Sequence, residues 1–231
     1  MAQRVAAGAV TATPAPPQPD PAGLGWGRGD QNFSTYIVIT ASNRHRCSER
    51  EIRNHLDTIL DYMGHWAAIH PEKCFSSFLD RHGQPRETYT YQSFETRTRF
   101  LAEYFHDETS LRRGDRVALV YPPGLEMVAS FVACARIGVI PVPVPPVASV
   151  ATEGASRLRS VMLDSGAAFA LTDSSLESAL RGRRELGDHA ESEDPIASLG
   201  VQWLTTDRLQ GTARGSITDN PTENLFLQYT S

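Results

Sequence analysis

The stretch DRVALVYPPGLEMVASFVACARIGVIPVPVPP, residues 115–146, decides the fold of this chain. It opens with RVALVY at residues 116–121, a β-branched apolar run that is typical of a strand buried on both faces. Apolar residues then recur at helical spacing over residues 125–137, and Gly138 stands where a helix end needs a positive φ. Because a second apolar run follows at residues 139–142, we predict a strand, a helix and a parallel strand, which the prolines then end.

Two helices are predicted before this stretch. Ser48 and Glu51 form a capping-box pair ahead of an apolar stripe, which predicts a helix over residues 48–70. A second helix is predicted after Tyr91, with one apolar face and one charged face. The apolar face contains Phe94, Leu101, Ala102 and Phe105, and the charged face contains Glu95, Arg97, Arg99 and Glu103.

A small antiparallel ribbon is predicted between these helices. Two β-rich runs, at residues 74–79 and 87–91, flank the sequence DRHG, whose residues favour a turn. The run FSTYIVIT at residues 33–40 has strand composition and would add an edge strand. The sequence does not say which strand it would join.

Strands and helices continue to alternate after the prolines. We predict a helix over residues 156–163, a strand over 167–172, a helix over 174–186 capped by Asp173 or Ser174, and a strand over 201–204. The fold class is therefore α/β, a largely parallel sheet flanked by helices with a small β hairpin. Ligands of such sheets bind beyond the carboxyl ends of the strands. The candidate loops are residues 122–124, 143–149 and 173–175, and whatever follows Ser231.

Composition excludes several classes of protein. The 231 residues are 40% hydrophobic, enough for a substantial core, and the net charge of −5 disfavours nucleic acid as a partner. The three cysteines have no CxxC spacing, which favours a reduced, cytoplasmic protein. Residues 125–147 are apolar enough to suggest a membrane span, but Arg136 and the prolines argue against it. No cluster of ligating side chains indicates a metal site.

The first 47 residues are predicted to be a disordered leader that includes the possible edge strand. Residues 1–30 are rich in Ala, Pro and Gly and have no apolar periodicity. A transit peptide is the alternative, since acidic residues are absent before Asp20, but the basic residues and serines of such peptides are scarce. Residues 48–231 would then form the folded domain.

Taken alone, no motif identifies a reaction. The chain has no GxGxxG, no GxxxxGK[ST] and no GxSxG sequence. Thr230 and Ser231 are candidate phosphate-binding hydroxyls, although two hydroxyls at a chain end are more often ordinary polar residues. We assign no catalytic and no metal-binding residue.

Three segments, taken in order, resemble the adenylate-forming superfamily of acyl-CoA synthetases, adenylation domains and luciferases. ETYTYQSF at residues 87–94 is similar to its LTYxEL box, and ACARIGVIPVPVPP at 133–146 is similar to its KAGxxxVPxxP box. NLFLQYTS at 224–231 resembles the opening of its LxYTSGSTGxPKG signature. The resemblance implies a partial AMP-binding domain, with Thr230 and Ser231 at the β- and γ-phosphates of ATP.

Within the superfamily, the paired prolines and FLQYTS look most like fatty acyl-AMP ligases. This resemblance implies that a fatty acid is adenylated with ATP and Mg²⁺, that pyrophosphate is released, and that an acyl carrier protein accepts the acyl group. The signature's glycines and lysine, the metal-binding glutamate and the catalytic lysine would lie beyond Ser231. We therefore expect a truncated domain that is inactive by itself and binds no cofactor tightly.

Two other classes remain open from the sequence. One is a noncatalytic adenylation-like scaffold, since the similar domains of disco-interacting proteins share the pattern. The other is an unrelated Rossmann-like redox enzyme, which the missing glycine motif disfavours.

Overall fold

The computed structural model describes residues 37–38, 58–144, 152–185 and 201–229. The predicted leader, the Ser48–Glu51 pair, Thr230 and Ser231 lie outside these residues, apart from the short strand β1. In chain order the elements are β1 (Ile37–Val38), α1 (Ile59–Ile69), β2 (Cys74–Leu79), β3 (Pro85–Thr90), α2 (Tyr91–Glu108), β4 (Arg116–Val120), α3 (Leu125–Arg136), β5 (Ile140–Val144), α4 (Thr152–Ser165), β6 (Phe169–Thr172), α5 (Ser174–Glu185) and β7 (Gln202–Thr205).

The main sheet is parallel and four-stranded, in the order β5-β4-β6-β7. The predicted strand–helix–strand unit is its β4, α3 and β5, and the α/β fold class is confirmed. Strands are added on one side of β4 and then on the other, so the topology reverses between β4 and β6. Ligands of open α/β sheets bind at such a reversal, beyond the carboxyl ends of the strands.

The prolines do not end β5 where the sequence predicts. Pro141 and Pro143 lie within the strand, which continues to Val144. The Ile140 N–H donates to the Asp115 carbonyl at 2.8 Å, and alternate residues of a strand direct their N–H groups to the same side. The proline nitrogens therefore face away from β4, on the outer side of an edge strand, where no ladder donor is needed.

The second sheet is antiparallel, in the order β1-β2-β3, and confirms both the hairpin and the added edge strand. Ile37 pairs with Phe78, which places β1 beside β2. The Asp80 carboxylate accepts from the N–H groups of His82 and Gln84 in the turn, and these bonds lower the pKa of Asp80. β3 ends one residue earlier than predicted because Thr90 is the N-cap of α2.

The first described helix begins later than the sequence predicts. Thr58 is extended, with φ −124° and ψ 162°, and its hydroxyl accepts from the Asp61 N–H. One continuous helix over residues 48–70 is therefore wrong at Thr58, because an extended N-cap interrupts it. The Ser48–Glu51 pair itself lies outside the described residues.

Alternate side chains of β4 enter different cores. Val117 and Leu119 belong to a cluster with α1, α2 and α3, whereas Ala118 and Val120 belong to a cluster with β5 and α4. This is the alternation expected of a strand covered on both faces. Within the described ranges, no helix is long and apolar enough to cross a membrane.

Candidate functional site

A cluster of buried hydroxyl groups lies at the carboxyl ends of the parallel strands, near the topological reversal of the sheet. The Tyr121 hydroxyl, just after β4, lies 2.8 Å from Ser130 Oγ and 2.8 Å from Thr206 Oγ1. Tyr121 is 2% exposed, and burial raises its pKa far above the ordinary value, so its hydroxyl stays protonated. Thr172, at the end of β6, has a buried hydroxyl without a hydrogen-bond partner. The cluster joins neutral groups from β4, α3 and the residue after β7.

The loop at residues 122–124, the first candidate ligand loop, is already occupied by a carboxylate. Glu87 of β3 accepts a hydrogen bond from the Leu125 N–H at 2.9 Å, at the first turn of α3. Gly124, the N-cap of this helix, supplies no side-chain bond of its own. The positive helix end that would attract a phosphate therefore holds Glu87.

The loop after β6 also satisfies its own polar groups. Asp173 accepts from the Leu176 N–H at 2.8 Å, which makes it, rather than Ser174, the cap of α5. Ser174 instead donates its N–H and its hydroxyl to the Asp207 carboxylate. Most of the remaining candidate loop, residues 143–149, lies outside the described residues.

Neither a metal-ligating cluster nor the predicted phosphate-binding residues are present in the described ranges. None of the groups of His, Cys, Asp and Glu in the described ranges is suited to hold a metal ion. A groove of about 530 Å³ lies near the first residues of β6 and β7, at the end of the sheet opposite the expected ligand site. Thr230 and Ser231, the predicted phosphate-binding residues, lie beyond the last described residue, Tyr229.

Two glutamates that the sequence places on the charged outer face of α2 are buried, which corrects that prediction. Glu95 is 8% exposed and Glu103 is 6% exposed. Glu95 is held by Arg136, whose guanidinium is completely buried and lies 2.5 Å from Glu95 Oε2. The signal was present in the sequence: Glu95, Thr98 and Ala102 recur at the spacing of one helix face.

Arg136 is the centre of a buried polar cluster. Its Nη1 lies 2.6 Å from Asp219 Oδ2, and its Nε donates to Thr98 Oγ1 at 3.1 Å. Arg99 also reaches both carboxylates of the cluster, at 2.6 Å from Glu95 and 3.7 Å from Asp219. Two cations thus face two carboxylates, so the buried charges are balanced.

The chain after β7, residues 206–229, contains no helix or strand and is called here the connecting segment. Charged side chains of α2 hold its first half. Arg97 donates to the carbonyls of Thr206, at 2.9 Å, and Leu209, at 2.7 Å, while it pairs with Glu126 of α3. Glu103 accepts from the N–H groups of residues 214 and 216. The segment therefore follows a fixed path without regular secondary structure.

The second half of the connecting segment is held by the residues of the 133–146 box. The Asn220 N–H donates to the Arg136 carbonyl at 2.7 Å, and the Leu227 N–H donates to the Pro141 carbonyl at 3.1 Å. Tyr229 donates to Asp164 of α4 at 2.6 Å, and this bond raises the pKa of Tyr229.

Residues 224–229, the described part of the third box, form no strand although their sequence is apolar. The outer edge of β5 offers carbonyls to this segment. It offers no N–H at Pro141 and Pro143, so a regular ladder is impossible there.

The second and third sequence boxes are in contact, and the helix that begins within the first box contacts the second. Thr90 of the first box caps α2, and the next residues of that helix, Glu95 and Thr98, contact Arg136 of the second box. Leu227 of the third box contacts Pro141 of the second.

Comparison with known proteins covers the residues of all three boxes. The model of the family described as AMP-binding enzyme matches residues 64–231. The medium-chain-fatty-acid–[acyl-carrier-protein] ligase JamA of Moorena producens is 27% identical over 180 residues, which cover 75% of this chain and 28% of JamA. The 4-hydroxyphenylalkanoate adenylyltransferase of Mycobacterium tuberculosis is 29% identical over 212 residues, 89% of this chain and 31% of that protein. Human disco-interacting protein 2 homolog B is 34% identical over 114 residues, 49% of this chain and 7% of that protein.

The fold is that of solved adenylate-forming enzymes. The fatty acid AMP ligase of Legionella pneumophila superposes with a TM-score of 0.60 at 22% identity, over 74% of this chain and 28% of the ligase. The chain spans less than a third of the length of each of these relatives. Because the family model matches well over half of its residues, the chain belongs to the AMP-binding enzyme family, with fatty acyl-AMP ligases among the proteins it resembles.

Proposed function

We propose that this chain forms the amino-terminal part of an ATP-dependent enzyme that adenylates a fatty acid. The reaction joins the acid's carboxylate to the α-phosphorus of ATP as the bond to pyrophosphate breaks. The observation that supports this proposal is the contact of the third family box with the second at β5, together with the binding of Arg136 by the helix that begins in the first box. A likeness in sequence alone would not require these contacts.

In this proposal, Thr230 and Ser231 bind the β- and γ-phosphates through their hydroxyls. They follow directly on Tyr229, the last residue of the connecting segment, whose hydroxyl donates to Asp164 of α4. A hydroxyl-bearing loop after an anchored segment presents donors to a triphosphate with little loss of entropy on binding. Mg²⁺ would neutralise phosphate charge; the described ranges contain no group of three or more His, Cys, Asp or Glu side chains that could hold it.

The substrate class and the acceptor are also proposed by similarity. JamA is named as a ligase of medium-chain fatty acids and an acyl carrier protein. The similarity to JamA covers 75% of the present chain. We propose a fatty acid as the acid, a carrier protein as the acceptor, and the cytoplasm as the compartment. We further propose that residues 1–231 do not catalyse adenylation alone, since the described loops satisfy their own polar groups.

Two measurements test this function. The coding sequence after Ser231 is expected to continue as Gly-Ser-Thr-Gly, followed within a few residues by Lys; any other continuation removes the main support for the ligase. ATP–pyrophosphate exchange is then measured with fatty acids from octanoate to palmitate, for residues 1–231 and for the product that continues past Ser231. We expect ATP–pyrophosphate exchange with the protein that continues past Ser231 and none with residues 1–231. Its absence with every acid would favour a noncatalytic scaffold instead.

A further inference from the structure

We propose that Arg136 is a positioning residue that fixes the start of the chain leading to Thr230 and Ser231. This inference rests on the proposed function, in which those two hydroxyls bind phosphate. Arg136 holds the connecting segment at two consecutive residues, through its side chain on Asp219 and through its carbonyl on the Asn220 N–H. Two different kinds of bond therefore fix the position and the direction of the chain at this point.

The surroundings make this attachment stiff. Arg136 is fully buried, so water cannot replace its partners, and Glu95 and Thr98 hold the remaining guanidinium nitrogens. Gly138 brings the backbones into close approach: a β-carbon there would lie 2.6 Å from the Asn220 carbonyl oxygen. The adjacent Pro221 carbonyl accepts a further bond from Arg113 at 3.1 Å.

Beyond this point the segment has fewer attachments before its last described residue. The Leu227 N–H binds the Pro141 carbonyl, and Tyr229 binds Asp164. Phe226 remains 44% exposed, although its ring lies 5.6 Å from that of Phe131. Leu227 and Tyr229 also pack against the apolar cluster beneath α4. Residues 219–221 therefore fix where the second half of the segment starts, and these two residues fix where it ends.

A purely structural role for the cluster makes a different prediction. If Arg136 served only to join α3 to α2, its bonds to Glu95 and Thr98 would suffice, and Asp219 would be dispensable. Asp219→Asn separates the two roles, because it weakens the attachment of the segment to Arg136 and Arg99 and keeps the Arg136–Glu95 pair, although one negative charge of the cluster is lost. Asp219 lies in a coil and its side chain is 20% exposed, so this variant is expected to fold, as far-UV circular dichroism would verify.

Hydrogen exchange on residues 1–231 tests the attachment without any catalytic assay. In Asp219→Asn we expect amide exchange at the hydrogen-bonded N–H groups of Asn220 and Leu227 to be at least about tenfold faster, with exchange in α2 and α3 changed less than twofold. The matched control is Asp207→Asn, the same change at the other end of the connecting segment, where the carboxylate binds Ser174. It should leave residues 220–229 unchanged. Equal acceleration in α2, α3 and the segment, or none in the segment, would overturn the inference.

Steady-state kinetics of the protein that continues past Ser231 test whether this attachment positions the phosphate-binding residues. Asp219→Asn is expected to raise the KM for ATP about fivefold or more, with the KM for the fatty acid unchanged, because only the phosphate loop is displaced. Equal rises in both KM values would indicate general damage and contradict positioning. If the unsubstituted longer protein catalyses no ATP–pyrophosphate exchange, the proposed function fails, and the positioning role of Arg136 fails with it. The hydrogen-exchange data would still decide whether Asp219 anchors the connecting segment.

Discussion

At the scale of single residues, Tyr121 joins the central strand to the connecting segment. Its hydroxyl bonds two others, from α3 and from the residue after β7, and all three groups are shielded from water. Buried hydroxyls of this kind stabilise a fold mainly because leaving one unpaired is costly.

We predict that Tyr121→Phe lowers the free energy of unfolding by about 1–3 kcal/mol, because Ser130 and Thr206 lose their shared partner. Urea denaturation measures this loss. Tyr104→Phe is the matched control, since Tyr104 lines an open groove, and it should change the free energy by less than about 0.5 kcal/mol. Similar losses for the two variants would contradict a specific role for the cluster.

Gly138 and Gly166 have the same backbone conformation, with φ of +69° and +67°, but different surroundings. A β-carbon at Gly138 would meet Asn220 and Arg113, whereas at Gly166 it would meet nothing within 4 Å. We predict that Gly166→Ala costs only the left-handed strain of roughly 1–2 kcal/mol. Gly138→Ala should cost at least about 1 kcal/mol more, because the connecting segment must move.

Urea denaturation of the two variants compares these costs directly. Hydrogen exchange adds a second test, since only Gly138→Ala should accelerate exchange near Asn220. Equal destabilisation by both variants would mean that the segment yields freely at this point.

At the scale of elements, α3 owes its amino-terminal cap to a different part of the chain. Gly124 offers no side chain, so Glu87 of the hairpin supplies the carboxylate. The bond also attaches the antiparallel sheet to the parallel one. A sequence pattern within α3 could not reveal this cap, because its donor and acceptor are 38 residues apart.

We predict that Glu87→Ala destabilises the protein by about 0.5–2 kcal/mol, since the first turn of α3 loses its acceptor and a favourable charge. Arg86→Ala, at the exposed neighbouring position of the same strand, should have an effect within about 0.5 kcal/mol. Thermal or urea unfolding compares the two. An equally small effect of both substitutions would show that water replaces Glu87 without cost.

At the scale of the whole molecule, one sheet separates two apolar clusters and couples them. Leu119 belongs to the cluster beneath α2 and α3, and Leu158 belongs to the cluster beneath α4. Both side chains are at most 1% exposed. Because β4 contributes to both clusters, unfolding of either one exposes the other.

We predict that Leu119→Ala and Leu158→Ala each cost about 2–5 kcal/mol and lower the midpoint of one shared transition. Far-UV circular dichroism reports the helices, and fluorescence of Trp66 and Trp203 reports α1 and β7. The two signals should coincide in both variants. Separate transitions would show that the two sides of the sheet unfold independently.

The sequence by itself determined the elements that depend on local spacing. The strand–helix–strand unit, the hairpin, the edge strand and the apolar stripe of α2 follow from periods of 2 and 3.6 residues and from turn residues. The three family boxes also identified the family, because ordered matches require no knowledge of which residues touch. Each of these features is encoded within a short, continuous run of residues.

Only the tertiary structure decided how the polar groups are paired. The sequence shows Glu95, Glu103 and Arg136 as charges at helical positions, but not that partners more than 40 residues away bury them. It likewise shows prolines in β5, but not that the strand lies at an edge where they are tolerated. Burial of a charge and tolerance of a proline depend on the neighbours that the fold brings, so they become visible only when the chain is folded.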